Sequence, residues 1–224
     1  MEKNKNDRLN VAIIQICSSL DWKLNIDKIS GLIGSAKADC PELDGVFLPE
    51  VFYSMSDGTG PTPFLVAENN EHYENIRNLA LKHQLYILGG SAATKRKNEV
   101  YNRAYNFSPV GEDLGHYDKK HLFALSLKGE DKANLDESRV YSAGSEGKMI
   151  ELGEFKIGIS ICFDLRFPEL FRDYFTKGAN VLTVASAFTK PTGKAHWETL
   201  LRARAIENQS YVIAANQWGK HNEK

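Results

Sequence analysis

Three residues stand where an acid, a cation and a sulfur could act on one substrate: Glu50 after Val46-Phe47-Leu48-Pro49, Lys119 after His116-Tyr117-Asp118, and Cys162 after Gly158-Ile159-Ser160-Ile161. Each follows a strand-like run, and open α/β sheets place ligands at the carboxyl ends of their strands. A thiol of ordinary pKa, about 8.5, is mostly protonated at neutral pH, so a cysteine that attacks a carbonyl needs a base or a nearby cation. Glu50 and Lys119 supply one of each. Alternation along the last strand puts Ile157, Ile159 and Ile161 on one face and Gly158, Ser160 and Cys162 on the other. After Cys162 the chain runs through Phe163-Asp164-Leu165-Arg166-Phe167 into Pro168-Glu169, a strand-turn-helix elbow of the kind that exposes a nucleophile, with proline near the first helical position.

Taken singly, each of the three has a plainer reading. A free cysteine is more often a buried small hydrophobe, and a glutamate at a strand end can simply cap a turn. Lys119 shares a basic run with Lys120 and His121 that would ordinarily be solvated. Cys17, inside the first strand pattern, and Cys40, before Pro41, lack the flanks of Cys162 and read as structural. His121 and His196 read as hydrogen-bonded structural histidines, and the six histidines form no metal-ligand cluster, so no zinc site is expected.

The elements that must position these residues follow from periodicity. Apolar runs alternate with amphipathic stretches throughout the 224 residues, without repeat or linker, which predicts one α/β domain over 1–224. Leu9 to Ile16 reads as a buried strand. Asp21 caps a helix whose Leu24, Ile29, Leu32, Ile33 and Ala36 form one stripe. Gly45 to Leu48 is a strand, and a helix spans Glu68 to His83 with Ile76, Leu79 and Ala80 inward. Tyr86 to Ser91, Tyr101 to Phe107 and Gly115 to Asp118 read as strands, Ile150 to Phe155 and Lys156 to Ile161 as a hairpin. Helix Pro168 to Lys177, strand Val181 to Ala185, helix Lys194 to Asn208 and strand Tyr211 to Ala215 complete a mixed sheet with flanking helices.

Basic and acidic residues nearly cancel, 28 against 29, which removes any global electrostatic reason to expect nucleic acid or an anionic membrane as partner. The polar Met1 to Asn10 and the strand-sized apolar runs give no sign of secretion or membrane spanning. Three cysteines are too few for a disulfide scaffold, and a reducing cytoplasm fits them.

Read together with their flanks, Leu48-Pro49-Glu50, Tyr117-Asp118-Lys119-Lys120-His121-Leu122 and Cys162-Phe163-Asp164-Leu165-Arg166-Phe167-Pro168-Glu169 resemble the three signatures of the nitrilase, or carbon-nitrogen hydrolase, superfamily. Their order and wide spacing match as well, and the resemblance runs from Asn10 to Lys224. The motif Tyr-x-Lys-x-His-Leu puts the catalytic lysine at Lys119. Glu137, in Asp136-Glu137-Ser138, falls where the family has a second glutamate that orients the lysine and borders the substrate. The segment Thr192-Gly193-Lys194-Ala195-His196-Trp197-Glu198 through Leu201-Arg202-Ala203-Arg204-Ala205-Ile206-Glu207-Asn208-Gln209 resembles the branch holding the Nit1-like deaminated glutathione amidases and, beside them, the omega-amidases. Without the resemblance that helix has only a structural reading, with Trp197, Leu201 and Ala205 on one stripe and Glu198 paired with Arg202.

The resemblance implies a four-layer αββα sandwich of two mixed sheets, and a catalytic set of Glu50, Lys119 and Cys162 that cleaves a small carboxamide through a thioester without a cofactor. The Phe163 backbone amide would assist Lys119 at the oxyanion. Arg166 would hold a substrate carboxylate, against the alternative of a salt bridge to Asp164 or Glu169. Subunits would pair as a homodimer or larger assembly through the helices near Pro168 to Lys177 and Lys194 to Asn208. Family members continue past the segment matching Gly219 to Lys224 into further strands and a tail, so this chain is expected to lack them. Nitrilases, carbamoylases and amidases for other acyl groups share the same three residues, and a catalytically silent binding module would keep the same fold. A papain-like protease would leave the lysine without a part.

Overall fold

The structure, a computed structural model, describes residues 8–125 and 135–223. Most of the polar amino-terminal segment read above, residues 1–7, lies outside them. The first half of the chain builds one sheet and its helical cover. Strands β1 (Val11–Ile13), β2 (Gly45–Phe47) and β3 (Tyr86–Leu88) run parallel in the order β1-β2-β3, joined by helices α1 (Trp22–Asp39) and α2 (Glu71–His83). Strands β4 (Ser91–Arg96), β5 (Glu99–Ala104) and β6 (Tyr117–Asp118) form an antiparallel meander that joins the first three through a bridge between Ile87 and Phe107. A short pair, β7 (Ala124–Leu125) and β8 (Leu135–Asp136), leads into a 3-10 turn at Glu137–Arg139.

The second half builds the other sheet, in the order β12-β11-β10-β9, from β9 (Lys148–Leu152), β10 (Phe155–Ile161), β11 (Val181–Ser186) and β12 (Tyr211–Asn216), with helices α3 (Pro168–Thr176) and α4 (Lys190–Asn208) outside it. β9 is antiparallel to β10 and the other pairings are parallel. The layering follows from alternation: Val46, Leu48 and Ile87 pack with Ile29, Ile33, Ile76 and Leu79 under α1 and α2. Their neighbours Phe47 and Leu88 pack instead with Ile157, Ile159, Ile161, Leu182 and Val184 of the second sheet. The result is the expected αββα sandwich. No helix among the described residues is long and apolar enough to cross a membrane.

Several boundaries differ from the sequence reading for identifiable reasons. The first strand is only three residues long, with its last residue, Ile13, half-exposed. In α1 the Asp21 carboxylate caps the Lys23 amide at 2.9 Å as predicted, but Leu24 and Leu32 face outward and the buried positions are Asn25, Ile29 and Ile33. Asn25 takes the inward place because its side chain binds the Ser19 amide and the Ser19 and Tyr53 carbonyls at 2.8–2.9 Å, which turns the helix about its axis. The run Tyr86 to Ser91 breaks at Gly89-Gly90, where Gly89 has φ +72° and a Cβ on Gly90 would meet Leu48 and Phe52. The chain therefore leaves the parallel sheet there and starts β4, a strand the apolar pattern does not mark because Ser91 to Arg96 is mostly polar or small. Helix α4 begins four residues before the predicted Lys194.

Strand β10 is buried on both faces from Ile157 to Ile161. Gly158 is required there: a Cβ would stand 2.5 Å from Cδ2 of Tyr174, and that ring is pinned by its hydroxyl, which donates to the Ile159 carbonyl at 2.6 Å and accepts from the Lys148 amide at 3.1 Å. Gly158→Ala is expected to destabilise the fold by about 1–3 kcal/mol through overpacking. Urea unfolding should show a lower midpoint at unchanged slope, and an unchanged midpoint would contradict the packing described.

Candidate active site

The carboxyl ends of β2, β6, β10 and β11 converge at one edge of the sandwich, the first two from one sheet and the last two from the other. There they border a cavity of about 290 Å³ whose wall includes Glu50, Asn102, Glu137, Tyr141, Cys162, Phe163 and Arg166. Lys119 lies behind that wall and is 1% exposed, unlike the solvated surface lysine of its plainer reading.

Glu50 is buried and fully engaged. Its Oε1 accepts from Lys119 Nζ at 2.8 Å and from Asn102 Nδ2 at 2.9 Å, while Oε2 accepts from the backbone amide of Ala187 at 2.8 Å. Lys119 Nζ also contacts both oxygens of Glu137, at 2.9 and 2.8 Å, so one ammonium is shared by two carboxylates. Glu137 is held in turn by the Phe123 amide at 2.8 Å. Burial alone would lower the Lys119 pKa, but Glu50, then Cys162 and Glu137, more than offset it and hold the ammonium well above its ordinary range. Glu137 is pushed up by burial, against the pull of Lys119 and with added repulsion from Glu50.

Cys162 opens the 3-10 turn Cys162–Arg166 at φ +48°, and Val51, next to Glu50, sits at φ +51°. Neither is glycine, so Cys162 itself and the residue beside Glu50 hold left-handed backbone at a cost of about 1–3 kcal/mol each. Burial first and the Glu50 charge second raise the Cys162 thiol well above its ordinary value; Lys119 and the Ala187 amide pull the other way without prevailing. Burial and the Glu50 charge both disfavour the thiolate.

One carboxylate locks the elbow to the lysine segment. Asp164, fully buried, accepts from the Tyr117 hydroxyl at 2.8 Å and the Ile161 amide at 2.9 Å on Oδ2, and from the His121 amide at 3.0 Å on Oδ1, which also contacts His121 Nδ1 at 2.7 Å. Tyr117 and His121 thus bind Asp164 while Lys119, between them, reaches the carboxylates of the site. From the other side Arg204 of α4 donates to the Leu165 carbonyl at 2.8 Å.

Arg166 makes no salt bridge with Asp164 or Glu169 among the described residues. Its Nη2 donates to His196 Nδ1 at 3.0 Å and its guanidinium lies 5.5 Å from the Phe163 ring centroid. The sequence-predicted residues Glu50, Lys119, Glu137, Cys162, Phe163 and Arg166 are therefore all at this cavity or immediately behind it. Asn102, Ala187 and Tyr141 were missed. Asn102 and Tyr141 lie in stretches with no distinguishing pattern, and Ala187 contributes only a backbone amide.

The carbon-nitrogen hydrolase model matches residues 10–224. The chain belongs to that family. Among its relatives, the nitrilase and fragile histidine triad fusion protein NitFhit of Caenorhabditis elegans is 38% identical over 96% of this chain and 49% of its own length. A deaminated glutathione amidase of Synechocystis is 35% identical over 95% of this chain and 79% of its own. Saccharomyces cerevisiae Nit3, a member of branch 10 of the nitrilase superfamily, superposes with a TM-score of 0.81 at 30% identity, covering 93% of this chain and 75% of Nit3. This carbon-nitrogen hydrolase chain therefore spans about half the length of the fusion protein and about four-fifths of the amidase.

The thiol state can be titrated. Ultraviolet thiolate absorbance, taken as the difference between the native chain and Cys162→Ser, should appear only above pH 9, because burial and Glu50 disfavour the anion. Glu50→Gln removes the negative charge and should move that titration downward. A native thiolate already formed at pH 7 would overturn the assignment.

Proposed function

We propose that this chain is an amidase that hydrolyses a small carboxamide to the free acid and ammonia through a thioester on Cys162. One observation carries the reading: a carboxylate fixed by three donors lines the same cavity as the Cys162 sulfur, with an ammonium bound between that carboxylate and a second one. We read residues 1–224 as one hydrolase domain.

Because the thiol rests protonated, attack requires a base in the same step. Glu50 takes the Cys162 proton as sulfur bonds to the carboxamide carbon, and the carbonyl oxygen becomes an oxyanion stabilised by Lys119 and the Phe163 amide. Collapse breaks the carbon-nitrogen bond, with the proton on Glu50 passing to the departing nitrogen to give ammonia. Glu50 then deprotonates water, hydroxide adds to the thioester, and the second collapse returns the acid and the thiol. One carboxyl group serves both halves. Glu137 keeps Lys119 aimed and charged.

Arg166 supplies the binding preference. With no carboxylate partner among the described residues, it can pair with one on the substrate, which fits an omega-amide such as deaminated glutathione or alpha-ketoglutaramate. The relative named deaminated glutathione amidase supports that class. We also propose a homodimer formed through α3 and α4, supported by Ile206 on α4 and Tyr211 beside it, both 76% exposed. A stable active monomer in sedimentation at micromolar concentration would refute the pairing.

A panel of omega-amides, a nitrile and a ureido acid assayed for ammonia release tests the activity. Ammonia from the amides alone, abolished in Cys162→Ser, is expected; nitrile or ureido turnover without amide turnover would replace the reading. Lys119→Ala should abolish turnover, but it would also leave Glu50 and Glu137 facing each other with no cation between them. A stability loss of about 3–5 kcal/mol is expected from the broken buried pair. Lys119→Met with Glu137→Gln removes the cation with less strain, and should be equally inactive with stability largely restored.

A further inference from the structure

Arg166 is the one lysine or arginine among the described residues that lines the cavity, and what holds it there is unusual. Its Nη2 donates to Nδ1 of His196 at 3.0 Å. A guanidinium has only donors, so Nδ1 must be the acceptor, and His196 is fixed as the neutral tautomer with its proton on Nε2. The neighbouring carboxylate that would ordinarily neutralise Arg166 is occupied elsewhere: Asp164 serves Tyr117, Ile161 and His121. The Arg166 Nε is buried without a partner among the described residues.

We infer that His196 is the positioning residue for Arg166, a neutral acceptor that fixes the guanidinium toward the cavity while leaving its positive charge unspent for a substrate carboxylate. The inference rests on the proposed role of Arg166 as the carboxylate anchor. A carboxylate in the place of His196 would hold the guanidinium just as firmly but neutralise the charge that would pair with a substrate carboxylate. An apolar residue would preserve the charge and lose the geometry. An imidazole acceptor does neither, and it commits only one of the five N–H groups of the guanidinium, leaving a fork for bidentate pairing. The Phe163 ring, 5.5 Å from the guanidinium carbon, restrains the same group from another side.

The register of α4 delivers His196 to this point. Trp197, the next residue, packs edge-on against Phe188 with ring centroids 5.0 Å apart, and Arg204 two turns later is tied to the elbow carbonyl of Leu165 at 2.8 Å. The helix is therefore pinned to the elbow on both sides of the contact. The Ala195-His196-Trp197 run, structural in the sequence reading, places one side chain against the core and the adjacent one on the substrate-facing cation.

The test uses the full chain with two substrates of matched length, succinamate, which carries a carboxylate, and butyramide, which does not. His196→Ala should raise KM for succinamate about five- to twenty-fold, the loss of one charge-assisted hydrogen bond, with kcat within about twofold and butyramide unaffected. His196→Gln, whose side-chain oxygen still accepts, should recover most of the loss. Equal losses on both substrates, a fall in kcat alone, or no advantage of glutamine over alanine would overturn the inference. Arg166→Lys run alongside separates the two readings. If it leaves the succinamate KM unchanged, the anchor role of Arg166 falls and the inference with it; if it raises KM while His196→Ala does not, the inference alone falls.

Discussion

A single ammonium shared by two buried carboxylates is the constraint around which the rest of this molecule is arranged. Taking Lys119, Glu50 and Glu137 out of water costs several kcal/mol per ion, and only close pairing with further hydrogen bonds offsets that cost. Each carboxylate accordingly has a second partner: Asn102 and the Ala187 amide for Glu50, the Phe123 amide for Glu137. These partners come from both sheets and from the β7–β8 segment. The charge cluster is satisfied only when the two halves of the sandwich are docked, which links the chemistry of the site to the completion of the fold.

The same dependence appears in the elbow. A cysteine at positive φ is strained, and the turn that imposes the strain is secured at several points by one carboxylate. Asp164 satisfies the amide of Ile161 just before Cys162 and binds Tyr117 and His121 on either side of Lys119. Sulfur and ammonium are therefore positioned through a common anchor, and a shift of either strand would move both. His121 adds a ring stacked on Phe167, 3.7 Å between centroids, at the point where the elbow enters α3.

Much of this was readable in the residues, and the exceptions have physical causes. Strand ends carrying Glu50 and Cys162 are visible because the apolar runs before them stop there, Lys119 is visible through the Tyr-x-Lys-x-His-Leu pattern, and Pro168 marks the start of α3. The division of Tyr117-x-Lys119-x-His121 between anchor and site was hidden, since it depends on which distant carboxylate each residue meets. Asn25 inside α1 and the Gly89-Gly90 break likewise answer to partners far along the chain: a polar residue turned inward to bind loop carbonyls defeats an apolar stripe, and a close approach by Leu48 and Phe52 defeats a continuous strand. The contribution of Ala187 could not be read at all, because a backbone amide carries no signature of its own.

The resting protonation state explains why so many donors are spent on Glu50. A preformed thiolate would need a site in which cations prevail, whereas here burial and the adjacent carboxylate prevail over Lys119. In the proposed reaction Lys119 is then not an activator of sulfur but a fixed counter-charge, unfavourable to nothing in the ground state and most strongly engaged when the oxyanion forms. Glu50 bears the proton transfers, and a base that must face thiol, leaving nitrogen and water in turn has to stay in one orientation throughout. Three hydrogen bonds to two oxygens from three separate segments provide that fixity. In that proposed reaction the mobile parts are the proton and the substrate, not the carboxylate, and binding preference would be left to Arg166, which the elbow carries separately.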